Sequence, residues 1–305
     1  MSVLSEHVQD YLRLRRAMGF RFEREGQLLA NFASYVESTG ATVITGEAAI
    51  GWARHPVTAQ SVRWAKRLGV VRRFAAYLQA IDPATEVPPS NVFSARWRRP
   101  TPYLWSQSDI IRLLQGSRKL RSPLRAATHE ALFGLLAVSG MRVGEAISLQ
   151  RGDVDLSRGV ITIREAKFDR PRLVPLHASA TEALRRYAAE RDRLCPRRST
   201  AFFVSSAGTA LDPSPVCKVF TRITTEMGIR TATVHPRIHD LRHSFAVRTL
   251  IAWQQTGVRI DEQIVTLSTY LGHVSPAGTY WYLSASSELM QFAAERLEAR
   301  FGAVR

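Results

Sequence analysis

The residues able to do chemistry fall in four short segments. The densest is His235-Pro236-Arg237-Ile238-His239-Asp240-Leu241-Arg242-His243-Ser244-Phe245-Ala246. On a helix, His239, Arg242 and His243 stand at i, i+3 and i+4 and share one face, while Leu241 and Phe245 pack elsewhere. Such a face suits an anion. The two histidines also have the spacing of a zinc pair, but the adjacent Arg242 works against a cation and the HExxH glutamate is missing. Histidine packing beside a capping arginine is the plainer alternative. The second segment, Ser139-Gly140-Met141-Arg142-Val143-Gly144-Glu145, sets an arginine on a turn after an apolar helix. A guanidinium fixed there can fork onto a phosphate, or it can pair with Glu145 and merely pin the turn. The third holds Lys167 beside Asp169 and Arg170. A lysine can give up a proton where arginine effectively cannot, and it can equally be a solvated turn residue. The fourth is Tyr270-Leu271-Gly272-His273 followed by Thr279-Tyr280-Trp281-Tyr282-Leu283. Gly272 reads as a helix stop, so His273 projects just past the helix end. Taken alone, the three aromatic residues read as packing.

These segments need helices to hold them. Ala126 to Val138 is strongly apolar and predicts a buried central helix that stops at Ser139-Gly140; another helix starts at Val143 and runs to Leu149. Ser106-Gln107-Ser108-Asp109 is a helix-start signature. Gly159-Val-Ile-Thr-Ile-Arg164 and Arg172-Leu-Val-Pro-Leu176 are β-rich and pair as a hairpin whose long basic tip carries Lys167 and Arg170. Ser179 to Asp192 reads as helix, Phe202-Phe203-Val204 as a short extended piece, and helices follow, the last over Ser287 to Phe301. The first 80 or so residues are helical throughout. Leu28, Leu29, Phe32, Tyr35 and Val36 form one apolar stripe, Ala48 to His55 a short helix, and Ser61 to Ala80 a longer one. Its outer face carries Arg63, Lys66, Arg67, Arg72 and Arg73, a single-sign set that a merely solvated face does not need. Asp82-Pro83, Pro88-Pro89, Pro100 and Pro102 then break any helix around Arg96, Arg98 and Arg99, as expected of a basic linker able to lie along phosphates. The expected class is mainly α with a small β-sheet. The expected division is a helical domain at 1–87, a linker at 88–103 and a second domain at 104–305.

Charge narrows the partner. The 305 residues carry 42 Lys+Arg against 26 Asp+Glu, a formal +16. The excess is +6 over residues 1–100 and +10 over the rest, so it is not a basic tail on a neutral enzyme. A polyanion, most often nucleic acid, is the partner this balance favours. Two cysteines without a CxxC make a disulfide framework and a Cys-rich zinc site poor explanations. No run approaches the ~18 apolar residues of a membrane span. The amphipathic N-terminus lacks the apolar core of a signal peptide, which points to the cytoplasm.

The order Arg142, hairpin Lys167, His239-x-x-Arg242, Leu-Gly-His273 and Tyr282 nine residues on resembles the tyrosine recombinase/integrase family over nearly the whole chain. HDLRHSFA and LGH…Y are specific together, SGMRVGEA matches the family's first-arginine box, and AKFDRPRLVPL fits its lysine hairpin. YLGHVSPAGTYWYLSA is similar to recombinases of transposons and related mobile elements. The resemblance implies a SAM-like core-binding domain followed by the catalytic domain. It implies site-specific cleavage and rejoining of double-stranded DNA through a 3′-phosphotyrosyl bond, without metal, ATP or other cofactor. It assigns Tyr282 as nucleophile, Arg142 and Arg242 as phosphate clamps, His239 as proton acceptor, His273 as a phosphate hydrogen-bonder, Lys167 as the acid for the leaving oxygen and Glu145 as the group orienting the site. It further implies a homo-tetramer on two DNA sites, alone or with partner recombinases, with the C-terminal helix docked on its own or a neighbouring protomer. A type IB topoisomerase-like relaxase would share the catalytic set but relax DNA without a defined site. A decayed accessory protein would bind DNA without forming an adduct, and a metal hydrolase would be stopped by chelator.

Overall fold

The computed structural model describes the chain except for residues 1, 21, 56, 95–100, 165–170, 285–289 and 292–305. The linker arginines Arg96, Arg98 and Arg99, the hairpin-tip residues Lys167 and Arg170, and the C-terminal helix expected over 287–301 therefore lie outside the described residues; only Met290 and Gln291 of that last helix are described, and they are helical. No described helix is long and apolar enough to cross a membrane. The chain separates into two compact units, residues 1–100 and 101–305.

The described residues of the first unit form four helices: α1 (Val3–Ala17), α2 (Glu23–Ser38), α3 (Gly46–Arg54) and α4 (Ser61–Gln79). Side-chain caps set two of the starts. Ser2 accepts from the Ser5 amide, and Thr45 from the Ala48 amide. The Thr45 cap is why α3 begins two residues ahead of the apolar stretch that predicts it. Phe32, Trp52 and Phe74 meet with Leu29 and Val71 in a closed core. Leu28 and Tyr35, expected in the stripe, only flank it.

The second unit wraps helices around α6 (Pro123–Ser139). Ser122 caps α6 and Pro123 occupies its first turn, where a missing N–H costs nothing, so it starts three residues before the apolar run. Around it lie α5 (Gln107–Arg118), α7 (Val143–Ile147), α8 (Ala178–Leu194), α9 (Pro213–Glu226), α10 (Asp240–Gln255), α11 (Ile260–Leu271) and the short α12 (Ala277–Tyr280). Leu132, Phe133, Leu136 and Phe220 are among its core residues. The sheet is antiparallel in the order β1 (Val154–Asp155), β2 (Val160–Ile163), β3 (Arg172–Pro175), with Ile161 opposite Val174 and Ile163 opposite Arg172. The two-residue β1 is too short to leave a sequence signal. Phe202–Val204 joins no sheet; the neighbouring Ala201 bridges to Gln150 and Val204 to Ala210. A second apolar cluster joins α10 to α11 through Val247, Leu250, Ile264, Leu267 and Leu271, and it includes Tyr282.

Candidate active site

Two helix ends and one helix start build the site. α6 ends at Gly140 (φ +60°) and α11 at Gly272 (φ +68°), both in the left-handed conformation that glycine adopts freely. α10 begins at Asp240, whose buried carboxylate accepts from the Arg237 amide at 2.8 Å and from its guanidinium at 2.7 Å. The start is anchored further on: Ser244 donates to the Asp240 carbonyl and accepts from the Trp105 amide at 2.8 Å. His239 is the residue just before α10, already in helical conformation, rather than within it. Its ring centroid lies 4.7 Å from that of His243, one turn on.

Arg242 is buried to 2% exposure. It donates to the Gly140 carbonyl at 2.8 Å and the Leu271 carbonyl at 2.7 Å, and its charge faces the Tyr282 phenol. Burial first, and then the charge of Arg142, push its pKa down to about 10, so it stays cationic near neutrality. Arg142 caps α7, donating to Glu145 at 2.7 Å and to the Gly272 carbonyl at 2.8 Å. The Glu145 carboxylate also accepts from the Arg142 amide at 3.0 Å and receives both ends of Arg172 at 2.7 and 3.1 Å. Burial would raise the Glu145 pKa, but the hydrogen bonds and charges of Arg172 and Arg142 outweigh it and hold it below the ordinary carboxylate value.

His273 sits just past α11, half-buried, with Nδ1 2.6 Å from the hydroxyl of the fully buried Thr279. Its ring stacks on Tyr282 at 5.9 Å and 23°. Desolvation first, then Arg242 and Arg142, push its pKa down to about 4. His239 is likewise pushed down to about 4 by desolvation, then Arg242. By area His239 is exposed, so one edge of its ring faces water. The direction still follows from the arginines alone, since like charge disfavours the imidazolium. Both rings are neutral at pH 7. Tyr282 lies in a 3-10 turn, Trp281–Ser284, and is 2% exposed, whereas Tyr280 is 51% exposed.

Arg142, Glu145, His239, Arg242, His273 and Tyr282 therefore come together from 140 residues of chain, as a cationic hole beside a buried phenol. Lys167 falls outside the described residues. Among the described residues no three His, Cys, Asp or Glu gather so as to hold a metal ion. Sequence reasoning missed Arg172 and Thr279. Arg172 shares the inward face of β3 with Val174 while the apolar Leu173 points out, so hydropathy alone inverts the strand. A threonine before an aromatic run carries no signal.

In the first unit, Arg63, Lys66, Arg67 and Arg73 of α4 join Arg24, Gln27 and Asn31 of α2 around a groove of about 1050 Å³. Arg72 lies on the other side of the helix and does not line it. Arg67 is committed: its guanidinium lies 3.8 Å over the Trp52 ring and donates to the Trp52 carbonyl at 3.0 Å. Trp52 in turn donates to the Asn31 side chain at 3.0 Å.

A helical catalytic unit with a small sheet, two clamped arginines, two neutral histidines and a buried tyrosine defines a tyrosine-type site-specific recombinase. The chain belongs to the phage integrase family, which matches residues 106–288. It is 43% identical over 310 residues to y4rB of Sinorhizobium fredii, by name a provisional integrase/recombinase, covering 99% of each chain. It is 31% identical over 188 residues to the tyrosine recombinase XerD of Oceanobacillus iheyensis, 61% of each. Its fold is similar to that of the Tn1549 transposon integrase in complex with a circular intermediate DNA, with TM-score 0.67 at 14% identity over 97% of this chain and 100% of that one. It is also similar to the XerH site-specific recombinase bound to its difH substrate, with TM-score 0.63 at 21% identity over 90% and 78%.

Proposed function

We propose that this recombinase cuts and rejoins double-stranded DNA through a 3′-phosphotyrosyl bond at Tyr282, in the integration or transposition of a mobile element. The observation that carries the reading is the gathering of Arg142, Arg242, His239 and His273 into one cationic hole, with His273 stacked on the buried Tyr282. The Tyr282 oxygen attacks the phosphorus, the P–O5′ bond breaks, and the 5′-hydroxyl leaves with a proton from Lys167. Arg142 and Arg242 hold the non-bridging oxygens and stabilise the charge of the pentacoordinate transition state. His239 is neutral near pH 7 and so has a lone pair free to take the phenol proton, which an imidazolium lacks. His273 hydrogen-bonds a phosphate oxygen. The covalent bond conserves the phosphodiester energy, and attack by a second strand's 5′-hydroxyl reverses the step, so the scheme calls on neither ATP nor metal.

The basic groove on α4 supports the DNA partner, with Arg63, Lys66 and Arg73 facing phosphates. The relatives solved with DNA support it too. The mobile-element role rests on the likeness of YLGHVSPAGTYWYLSA to transposon recombinases. A cytoplasmic homo-tetramer on DNA, with or without partner recombinases, completes the proposal, as does the division into a core-binding domain, a basic linker and a catalytic domain.

The test is covalent trapping. The protein is mixed, in EDTA, with nicked DNA spanning the ends or insertion junction of its own genetic element, and SDS-resistant adducts are scored. The expected result is an adduct with wild type and none with Tyr282→Phe. An adduct with both moves the nucleophile to Tyr280. Tight binding with no adduct in either overturns the catalytic reading in favour of an accessory DNA-binding role.

A further inference from the structure

Three nitrogens of one arginine meet a carboxylate and a helix end at a point that the proposed chemistry leaves unused. Arg172, on β3, is 9% exposed by side chain and lies in the interior of the second unit. Its two terminal nitrogens take both oxygens of Glu145, at 2.7 and 3.1 Å. Its Nε donates to the Tyr270 carbonyl at 3.0 Å, in the last turn of α11. It also fills the space beside Gly272: a Cβ built there would stand 2.5 Å from Nη1. One planar group thus touches the carboxylate that orients Arg142 and the helix end that presents His273.

We propose that Arg172 is a positioning residue for DNA cleavage, fixing Glu145, and through it Arg142, in register with the end of α11 that carries His273. This rests on the cleavage reading given above. The physical reasons are specific. Arg142 and Arg172 approach Glu145 from different elements, α7 and β3, so the carboxylate cannot rotate toward one without losing the other. Arg142 also donates to the Gly272 carbonyl, so Arg142 and Arg172 grip the same two groups, Glu145 and the α11 end, from two sides. A fork of three directed donors holds an angle that a single ammonium does not. Misplacement of a clamp by about 1 Å costs about 10²-fold in rate.

The test uses the full chain with three substitutions: Arg172→Met, of similar length and uncharged; Arg172→Lys, which keeps charge without the fork; and Leu173→Ala, on the exposed face of the same strand, as control. Three quantities are read: single-turnover adduct formation on the nicked DNA across pH 5–9, DNA affinity, and hydrogen exchange of the Gly272 and His273 amides, which bond to Thr269 and Ser268. Arg172→Met is expected to slow adduct formation by about 10²-fold at unchanged affinity and to expose the two amides to exchange. Arg172→Lys should fall between, and Leu173→Ala should match wild type. Glu145 faces Arg142, Arg172 and Arg242, with His273 nearby. Losing Arg172 should therefore raise its pKa and give Arg172→Met an acid limb absent from wild type, which a purely structural loss would not produce. Wild-type rate and wild-type amide protection in Arg172→Met overturn the proposal. So does a rate loss without a new acid limb and without added exchange. If wild type itself forms no adduct, the cleavage reading fails, and exchange alone decides: retained protection overturns the tie between Arg172 and α11, and lost protection upholds it.

Discussion

Replacing Thr279 by valine should slow DNA cleavage about tenfold while leaving DNA binding intact. Thr279 is fully buried and its hydroxyl lies 2.6 Å from His273 Nδ1. His273 is neutral near pH 7, since burial and then the surrounding arginines push it down to about 4. A neutral imidazole has one N–H, and its partner decides which nitrogen carries it. When the Thr279 hydroxyl donates to Nδ1, the hydrogen sits on Nε2, where it can donate to a phosphate oxygen. Valine keeps the volume and removes the hydroxyl. The competing tautomer then puts a lone pair toward the anion, and the ring loses one of the contacts holding it parallel to Tyr282. A buried hydrogen bond contributes about 1–1.5 kcal/mol net, which converts to roughly a tenfold loss of the productive arrangement. The assay is single-turnover adduct formation on nicked DNA, with Thr279→Ser as the variant that restores the hydroxyl and His273→Ala as the background. Thr279→Ser should cleave at close to the wild-type rate. In the His273→Ala background, Thr279→Val should add nothing, because its effect passes through the ring. Equal losses in both backgrounds, or a wild-type rate for Thr279→Val where His273→Ala is slow, would refute the reasoning.

Stability should fall on acidification through a defined window. His239 and His273 have folded pKa values of about 4 against about 6.5 unfolded, so the unfolded chain binds more protons between those limits. The stabilisation is complete above pH 6.5 and is lost as pH drops toward 4. For His273 this is about 2 kcal/mol at pH 5, reduced to roughly 1 by its partial exposure. His273→Gln should flatten the curve of Tm against pH between 7.5 and 5, and parallel curves would contradict it. Arg63→Ala and Arg73→Ala should each weaken DNA binding across sequences and lower the slope of log affinity against log salt by about one. Arg67→Ala should instead lower Tm, because it removes the stack on Trp52 and a carbonyl partner; thermal melts beside salt titrations separate the two behaviours. Gly140→Ala should destabilise by about 2–4 kcal/mol, measured by denaturant unfolding. Its φ is +60° and the added Cβ would meet the Phe245 ring at 2.5 Å.

What the sequence made legible follows from how local each cause is. HDLRHSFA could be read because its chemistry and its helical spacing lie within eight residues. The stops at Gly140 and Gly272 could be read because left-handed caps favour glycine, and both take that conformation. Arg67 shows where local reading stops. It shares spacing and charge with Arg63 and Lys66, and only the packing of α3 against α4 reveals that Trp52 holds it. Arg72 differs for a simpler reason: at nine residues from Arg63 it has turned half-way round α4 and lies off the groove. Arg172 was invisible because its partner, Glu145, lies 27 residues back in another segment; Thr279 lies only six residues from His273, but a threonine does not signal which ring its hydroxyl will meet.

The same distinction explains how the hole stays cationic. Three guanidiniums, of Arg142, Arg172 and Arg242, crowd together with one carboxylate, Glu145. Matching each arginine with a carboxylate would stabilise the apo protein but cancel the charge that a phosphate must find. The fold uses helix ends instead. The carbonyls of Gly140, Tyr270, Leu271 and Gly272 lie at the C-termini of α6 and α11, and together they accept from all three arginines. Such carbonyls carry the negative end of the helix dipole and lack partners within their own helix. They satisfy the guanidinium N–H groups with partial charge rather than full charge. The site thereby holds its arginines rigidly and keeps an excess of two positive charges. The same excess adds to burial in keeping His239 and His273 neutral. Adding a carboxylate beside these arginines should therefore neutralise the hole more than it stiffens it. Adduct formation should fall while Tm holds or rises, and parallel falls in rate and Tm would show instead that the arginines depend on the helix ends only for packing.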